Sequence, residues 1–277
     1  MTGDLMTGVS APVEMRDVAP WVERLARVGY GAKALLYITI GILAAGAAFG
    51  WGGRATDTEG ALRLVYRMTF GRVMLVVAAA GLLGYALWRV VEALMDPDSR
   101  GNGPKGIALR IGFAVRGLFH GALGIGAFRL AYGDRTDSPD RTRDWTAFLL
   151  DMPAGELLVW LAGGSVIGYG LYQLYRSFKA KLGRQLDLSS LSGQTHVWVV
   201  GVSRFGIAAR GIVFCLIGFF LARAASQHDA GQAGGIQQSL ATLARVGRWP
   251  FAAVALGLMA YGAYELLNAR YRRIKMT

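Results

Sequence analysis

Three cations recur at one place in a repeated phrase of this chain of 277 residues. RVGYGAK starts at Arg27, RIGFAVR at Arg110 and RFGIAAR at Arg204, so Lys33, Arg116 and Arg210 each follow an arginine by six positions. Twelve residues separate Arg116 from Arg129, and twelve separate Arg210 from Arg223. A helix of that length rises only about 18 Å, against the roughly 30 Å of a bilayer core. The Cα atoms of Arg116 and Arg210 therefore belong inside the hydrocarbon, where ionisable side chains are functional candidates by default. Three phenols belong beside them: Tyr85, Tyr169 and Tyr261, each about one turn from a span end marked by Arg89, Gln173 or Glu265. Three cations and three phenols at one height suit a phosphate, a carboxylate or a lipid headgroup. The same residues also fit snorkelling arginines with an ordinary aromatic belt, or a conducting path along an axis between the repeats.

Other chemistry finds little support. His120, His196 and His228 are expected on different sides of the membrane, too scattered for a bis-histidine haem. His120 is expected as a packed ring or a modest polar contact. Cys215 is the lone cysteine, which leaves no intrachain disulfide and no thiol cluster. GNGPKG, at 101–106, lacks the G-K-[ST] of a phosphate loop and is a linker. Asp134, Asp137, Asp140 and Asp144 alternate with Arg135, Arg141 and Arg143, as in a self-neutralising solvated loop. No catalytic residue, metal site or cofactor is assigned, and a non-enzymatic role is expected.

The elements that must position the ring are apolar. The chain is 53% hydrophobic and 17% charged with 39 glycines, whereas a soluble domain carries about a quarter charged residues. Six segments are long enough to span with snorkelling flanks: Ala34–Gly53, Val73–Trp88, Ile111–Phe128, Leu157–Tyr175, Phe205–Ala222 and Trp249–Tyr264. A net charge of +12 invites nucleic acid, but the basic residues flank the spans and form no patch, so nucleic acid is not an expected partner. The larger share of the 30 Lys and Arg falls on the side of both termini, so N- and C-termini are expected in the cytoplasm. No cleavable signal is expected before the first span, since the residues ahead of it mix acids and bases.

The phrase marks a tandem repeat. Fourteen residues after Arg27, Arg110 and Arg204 stand Gly41, Gly124 and Gly218; Gly71, Gly155 and Gly247 stand fourteen before Tyr85, Tyr169 and Tyr261, and Trp88, Tyr172 and Tyr264 follow three later. The chain divides into a flexible cytosolic tail (1–20) and three two-helix units, 21–98, 99–185 and 186–277. An even helix count gives all units one orientation, hence an all-α bundle of six spans with pseudo-threefold symmetry about the membrane normal. Between the paired helices, Ala61–Met68, Trp145–Met152 and Ile236–Ala244 are amphipathic and interfacial, with Leu64, Phe148 and Leu240 in register; a loop would serve as well for Trp145–Met152. Gly41, Gly124, Gly218, Gly164 and Gly168 are expected to let helices approach closely, and Gly168→Leu to disrupt the bundle.

With these offsets in place, the chain resembles the bacterial six-helix membrane proteins grouped as domain of unknown function 1206, over about residues 22 to 272. The resemblance implies an integral membrane protein of three helix-pair repeats and carries no activity, substrate or catalytic residue. His120 departs from the aromatic Tyr37 and Phe214, and Pro153 from Phe70 and Val246. The expectation is an accessory protein of the bacterial inner membrane that binds anionic lipid headgroups or, alternatively, another membrane protein. The competing expectation is a channel or transporter whose basic ring attracts a small anion.

Overall fold

The computed structural model describes residues 20–51, 56–95, 101, 103–133, 141–179 and 193–271. The tail at 1–19 and the acidic positions Asp134, Asp137 and Asp140 lie outside the described residues. Within them the chain is helical: α1 (Pro20–Phe49), α2 (Thr58–Tyr66), α3 (Gly71–Met95), α4 (Pro104–Ala131), α5 (Arg141–Leu150), α6 (Gly155–Lys179), α7 (Gly193–Gln227), α8 (Ile236–Val246) and α9 (Arg248–Tyr271). Six of these, α1, α3, α4, α6, α7 and α9, are long and apolar enough to cross a membrane. This is a multi-pass, all-α membrane protein. Five of these six helices run past both ends of their predicted apolar segments, while α1 starts earlier, at Pro20, and ends at Phe49, short of the predicted Gly53.

The short helices occupy the three predicted interfacial places, including α5, where a loop was an equal alternative. Gly50, at φ +73°, ends α1 while the Trp51 amide reaches back 2.9 Å to the Gly46 carbonyl. Asp57 then starts α2 by accepting from the Gly60 amide at 2.8 Å. Where each short helix turns into the next span, the chain doubles back tightly. A Cβ on Gly71 would lie 2.1 Å from the Val65 carbonyl oxygen, and one on Gly155 equally near that of Leu149. That close approach accounts for two of the three glycines standing fourteen before the tyrosines. Gly247 has no such neighbour.

Neighbouring units meet through α1 against α9, α3 against α4, and α6 against α7. The glycines fourteen after the first arginine sit at these contacts. A Cβ on Gly41 would come 2.7 Å from the Met259 amide of α9, one on Gly124 within 2.9 Å of Leu83 in α3, and one on Gly218 within 2.7 Å of the Gly163 carbonyl of α6. The lipid around a span is as apolar as the span itself, so it is this backbone-to-backbone packing that holds helices together.

Within units the packing is unequal. α1 packs on α3, and α7 on α9, but among the described residues α4 and α6 do not lie along one another. The glycine two after the first arginine shows this directly. A Cβ on Gly29 would meet the Gly81 carbonyl at 2.7 Å, and one on Gly206 the Tyr261 amide at 2.3 Å, whereas Gly112 has nothing within 4 Å. The helices pack in the order α4, α3, α1, α9, α7, α6, so the expected threefold relation is incomplete in the backbone at the middle unit. Gly164 and Gly168, expected as packing glycines, also have nothing within 4 Å. They lie on the outward face of α6, and no helix takes the place that their spacing offers.

An alanine-rich core fills the half of the bundle near α2 and α8, where Ala44, Leu62, Leu75, Ala127, Leu240 and Ala255 meet. The opposite half holds the buried charged residues Lys33, Arg89, Glu92, Arg210 and Glu265.

Candidate functional site

The repeated phrase has two separable parts. Its first arginine reaches the open C-terminal carbonyls of a neighbouring unit's helix: Arg27 donates to Ala269 and Arg270 of α9 at 2.8 and 2.7 Å, and Arg110 to Ala93 and Leu94 of α3 at 2.7 and 3.0 Å. The last carbonyls of a helix lack intrahelical donors and carry partial negative charge, so a guanidinium there closes the interface between units. Arg204 makes no such bond to α6 among the described residues.

The second cation points inward onto its own unit's tyrosine. Lys33 Nζ lies 4.8 Å from the Tyr85 ring centroid, the Arg116 guanidinium 5.1 Å from Tyr169, and that of Arg210 4.8 Å from Tyr261. The residue four after each cation then packs on the preceding unit's tyrosine: Tyr37 on Tyr261 at 4.7 Å, His120 on Tyr85 at 4.8 Å, and Phe214 on Tyr169 at 5.1 Å. Sequence spacing pairs each cation with the ring four residues on. Only Arg210 and Phe214, 4.6 Å apart, meet in that way. For Lys33 and Arg116 the partner helix supplies the closer ring. Stacking of this kind gains about 2 kcal/mol or more where the cation is desolvated.

Charge is not shared evenly around the six residues. Lys33, 6% exposed, donates to Glu265 at 2.8 Å, and Glu265 also accepts from the Tyr261 hydroxyl. Arg89 pairs with Glu92 and stacks 4.8 Å from the Tyr85 ring. Arg210, 9% exposed, donates Nε to the Tyr37 hydroxyl at 3.0 Å and Nη1 to the Tyr169 hydroxyl at 3.2 Å, and has no carboxylate within ion-pair distance. Arg116 likewise has none, and holds to the Phe113 and Tyr169 rings. Two guanidinium charges therefore converge on Tyr169 without a counter-ion among the described residues. An unpaired charge at low dielectric is unfavourable by several kcal/mol, and an anion placed between the two arginines removes that penalty.

The structure thus gathers Lys33, Arg116, Arg210, Tyr85, Tyr169 and Tyr261 into one cluster but gives them different tasks. Lys33 is committed to Glu265 and offers nothing to an anion. His120 donates Nδ1–H to the Arg116 carbonyl at 2.8 Å, a packed ring with a modest polar contact. Sequence reasoning missed Glu265 as the partner of Lys33, 232 residues away. It also missed Tyr30, whose ring lies 5.3 Å from Lys33 and edge-on to Tyr85. The offset that places Arg89, Gln173 and Glu265 each four residues after a tyrosine was the available signal. Gln173 fills this place in the middle unit at 1% exposure, and its amide oxygen has no hydrogen-bond partner among the described residues.

Fold and cluster together define a six-span membrane protein of three helix pairs joined around a cation–phenol centre. The family model described as Domain of Unknown Function (DUF1206) matches residues 28–96, 111–180 and 205–272, one segment in each unit, and the chain belongs to this family. It is similar to the Uncharacterized protein YxxB of Bacillus subtilis (strain 168), with 31% identity over 261 residues and 94% of each chain covered. No solved structure matches the chain.

Proposed function

We propose that this chain is a non-enzymatic accessory protein of the bacterial inner membrane that binds an anionic group, phosphate or carboxylate, between Arg116 and Arg210. One observation carries this reading: two guanidiniums within the spans meet on Tyr169, and among the described residues neither has a carboxylate within ion-pair distance. Elsewhere in the cluster each cation has its acid, Glu265 for Lys33 and Glu92 for Arg89, so positive charge is left for a ligand only where the second unit's Arg116 meets the third unit's Arg210. Ionisable groups at this depth mark ligand pathways and sites. The burial of Lys33, Tyr85 and Tyr261, at 6%, 3% and 4% exposure, favours a filled centre over an open conducting axis. We place both termini in the cytoplasm, as the excess of Lys and Arg on their side of the spans directs.

The test is thermal unfolding in detergent with rising inorganic phosphate. Wild-type protein is expected to gain melting temperature with phosphate concentration, as any ligand that binds only the folded state requires. R116Q/R210Q is expected to lose that dependence. An equal phosphate response in both proteins would remove the arginines from the site.

A further inference from the structure

The middle unit differs from its neighbours in one respect beyond charge: its two helices stand apart. In units one and three the seam between paired helices is closed backbone to backbone at Gly29 and Gly206. Gly112 stands at the equivalent place and faces nothing within 4 Å. The helices flanking this seam are also the least covered of the six spans, 28% buried for α4 and 22% for α6, against 39 to 56% for the others. Large apolar side chains stand exposed along both, Phe119 at 61% on α4 and Leu171 at 56% on α6 among them. Arg116 spans the seam to Tyr169, so the unpaired positive charge lies where the bundle opens sideways.

We infer that the ligand of this site is an anionic phospholipid seated laterally in the α4–α6 seam. Its phosphate lies on Arg116 and Arg210, and its headgroup fills the space at Gly112 on the surface side of Arg116, in place of the helix contact that closes the other two units. Its acyl chains run deeper along the exposed sides of α4 and α6, past Phe119. The inference rests on the anion-binding reading above and names the source of the anion. A free phosphate would satisfy the arginines but leave the seam open. A lipid satisfies both, since its phosphate carries the charge that Arg210 lacks a partner for, its headgroup occupies the space at Gly112, and its chains cover the exposed apolar side chains deeper along α4 and α6. The orphan amide oxygen of Gln173, one turn beyond Tyr169, adds a second polar request at the same end of the seam. A buried acceptor without a donor calls for a partner, and a headgroup hydroxyl provides one. Phosphatidylglycerol carries such hydroxyls next to its phosphate and serves as the probe.

The experiment uses full-length protein exchanged through mixed vesicles of phosphatidylglycerol and phosphatidylcholine, then counted for bound lipid by native mass spectrometry. Three proteins are compared: wild type, R116Q/R210Q, and G112L, whose new Cβ meets no protein atom within 4 Å and so leaves the bundle intact. Melting temperature with inorganic phosphate is measured in parallel. Wild type is expected to retain phosphatidylglycerol over phosphatidylcholine. Both variants are expected to lose that retention, while G112L keeps its phosphate-dependent melting. Retention by G112L equal to wild type would overturn lateral seating and leave the anion site standing. Phosphate stabilisation without retained phosphatidylglycerol would assign the site to a soluble anion and overturn the lipid. Unchanged retention and unchanged phosphate response in R116Q/R210Q would overturn both readings.

Discussion

Glu265 sits between Lys33 Nζ and the Tyr261 hydroxyl, and both donors are buried with it. Removing one member of such a pair strands a charge, which destabilises by about 3–5 kcal/mol, whereas replacing both with apolar residues is often neutral. Glu265→Gln is therefore expected to lower the melting temperature in detergent sharply, and K33M/E265L to recover most of the loss. Equal melting temperatures for E265Q and wild type would show that the pair does not form. Arg210 is held differently, by phenol oxygens and four surrounding rings, Tyr37, Tyr169, Phe214 and Tyr261, at 4.6 to 5.7 Å. A ring face and a hydroxyl orient a guanidinium without neutralising it. That is the difference between a cation that builds the fold and one left to bind.

At the scale of helices, the glycines divide by what stands opposite them. Gly206→Leu pushes a side chain into the Tyr261 backbone and is expected to separate α7 from α9, with a loss of at least about 1–3 kcal/mol, the usual range for overpacking. Gly168→Leu enters open space and is expected to leave thermal stability unchanged, the reverse of what its spacing from Gly164 implies. A melting temperature for G168L as low as for G206L would contradict this assignment of faces. Small residues four apart permit a close approach, but they do not say which helix arrives or whether one does. On α6 the contact face runs instead through Gly163, Gly170 and Ile167, which meet α7 at Gly218 and Gly211. The spans themselves, the interfacial helices and the repeat were legible, because hydropathy and fixed offsets are properties of one segment at a time. The pairing of Lys33 with Glu265 was not. It joins the first unit to the third, and nothing local to either residue records it.

Across the whole molecule, three copies of one helix pair have taken on unequal roles. Contacts between units repeat three times, at α1–α9, α3–α4 and α6–α7, and seams within units close only twice. Spin labels on α4 and α6, at Phe119 and Tyr172 in a Cys215→Ala background, are expected to give a broad distance distribution that narrows when phosphatidylglycerol is added. Labels on α1 and α3 at Ile42 and Val77 are expected to give a narrow one throughout. Identical narrow distributions at both seams would make the middle unit equivalent to its neighbours. The sequence hints at the divergence in His120, Pro153 and Gln173, which depart from their counterparts in units one and three. It hides the consequence, since Gly112 is retained at a seam that stays open.

The claim that the repeated phrase builds an anion site between its second and third copies is tested most directly by native mass spectrometry of the protein as first purified from its own membrane, wild type beside R116Q/R210Q. The account predicts an anionic adduct of phospholipid mass on the wild type that the variant lacks. The same adducts on both proteins, or none on either, would contradict it and leave the two arginines as anchors of their helices.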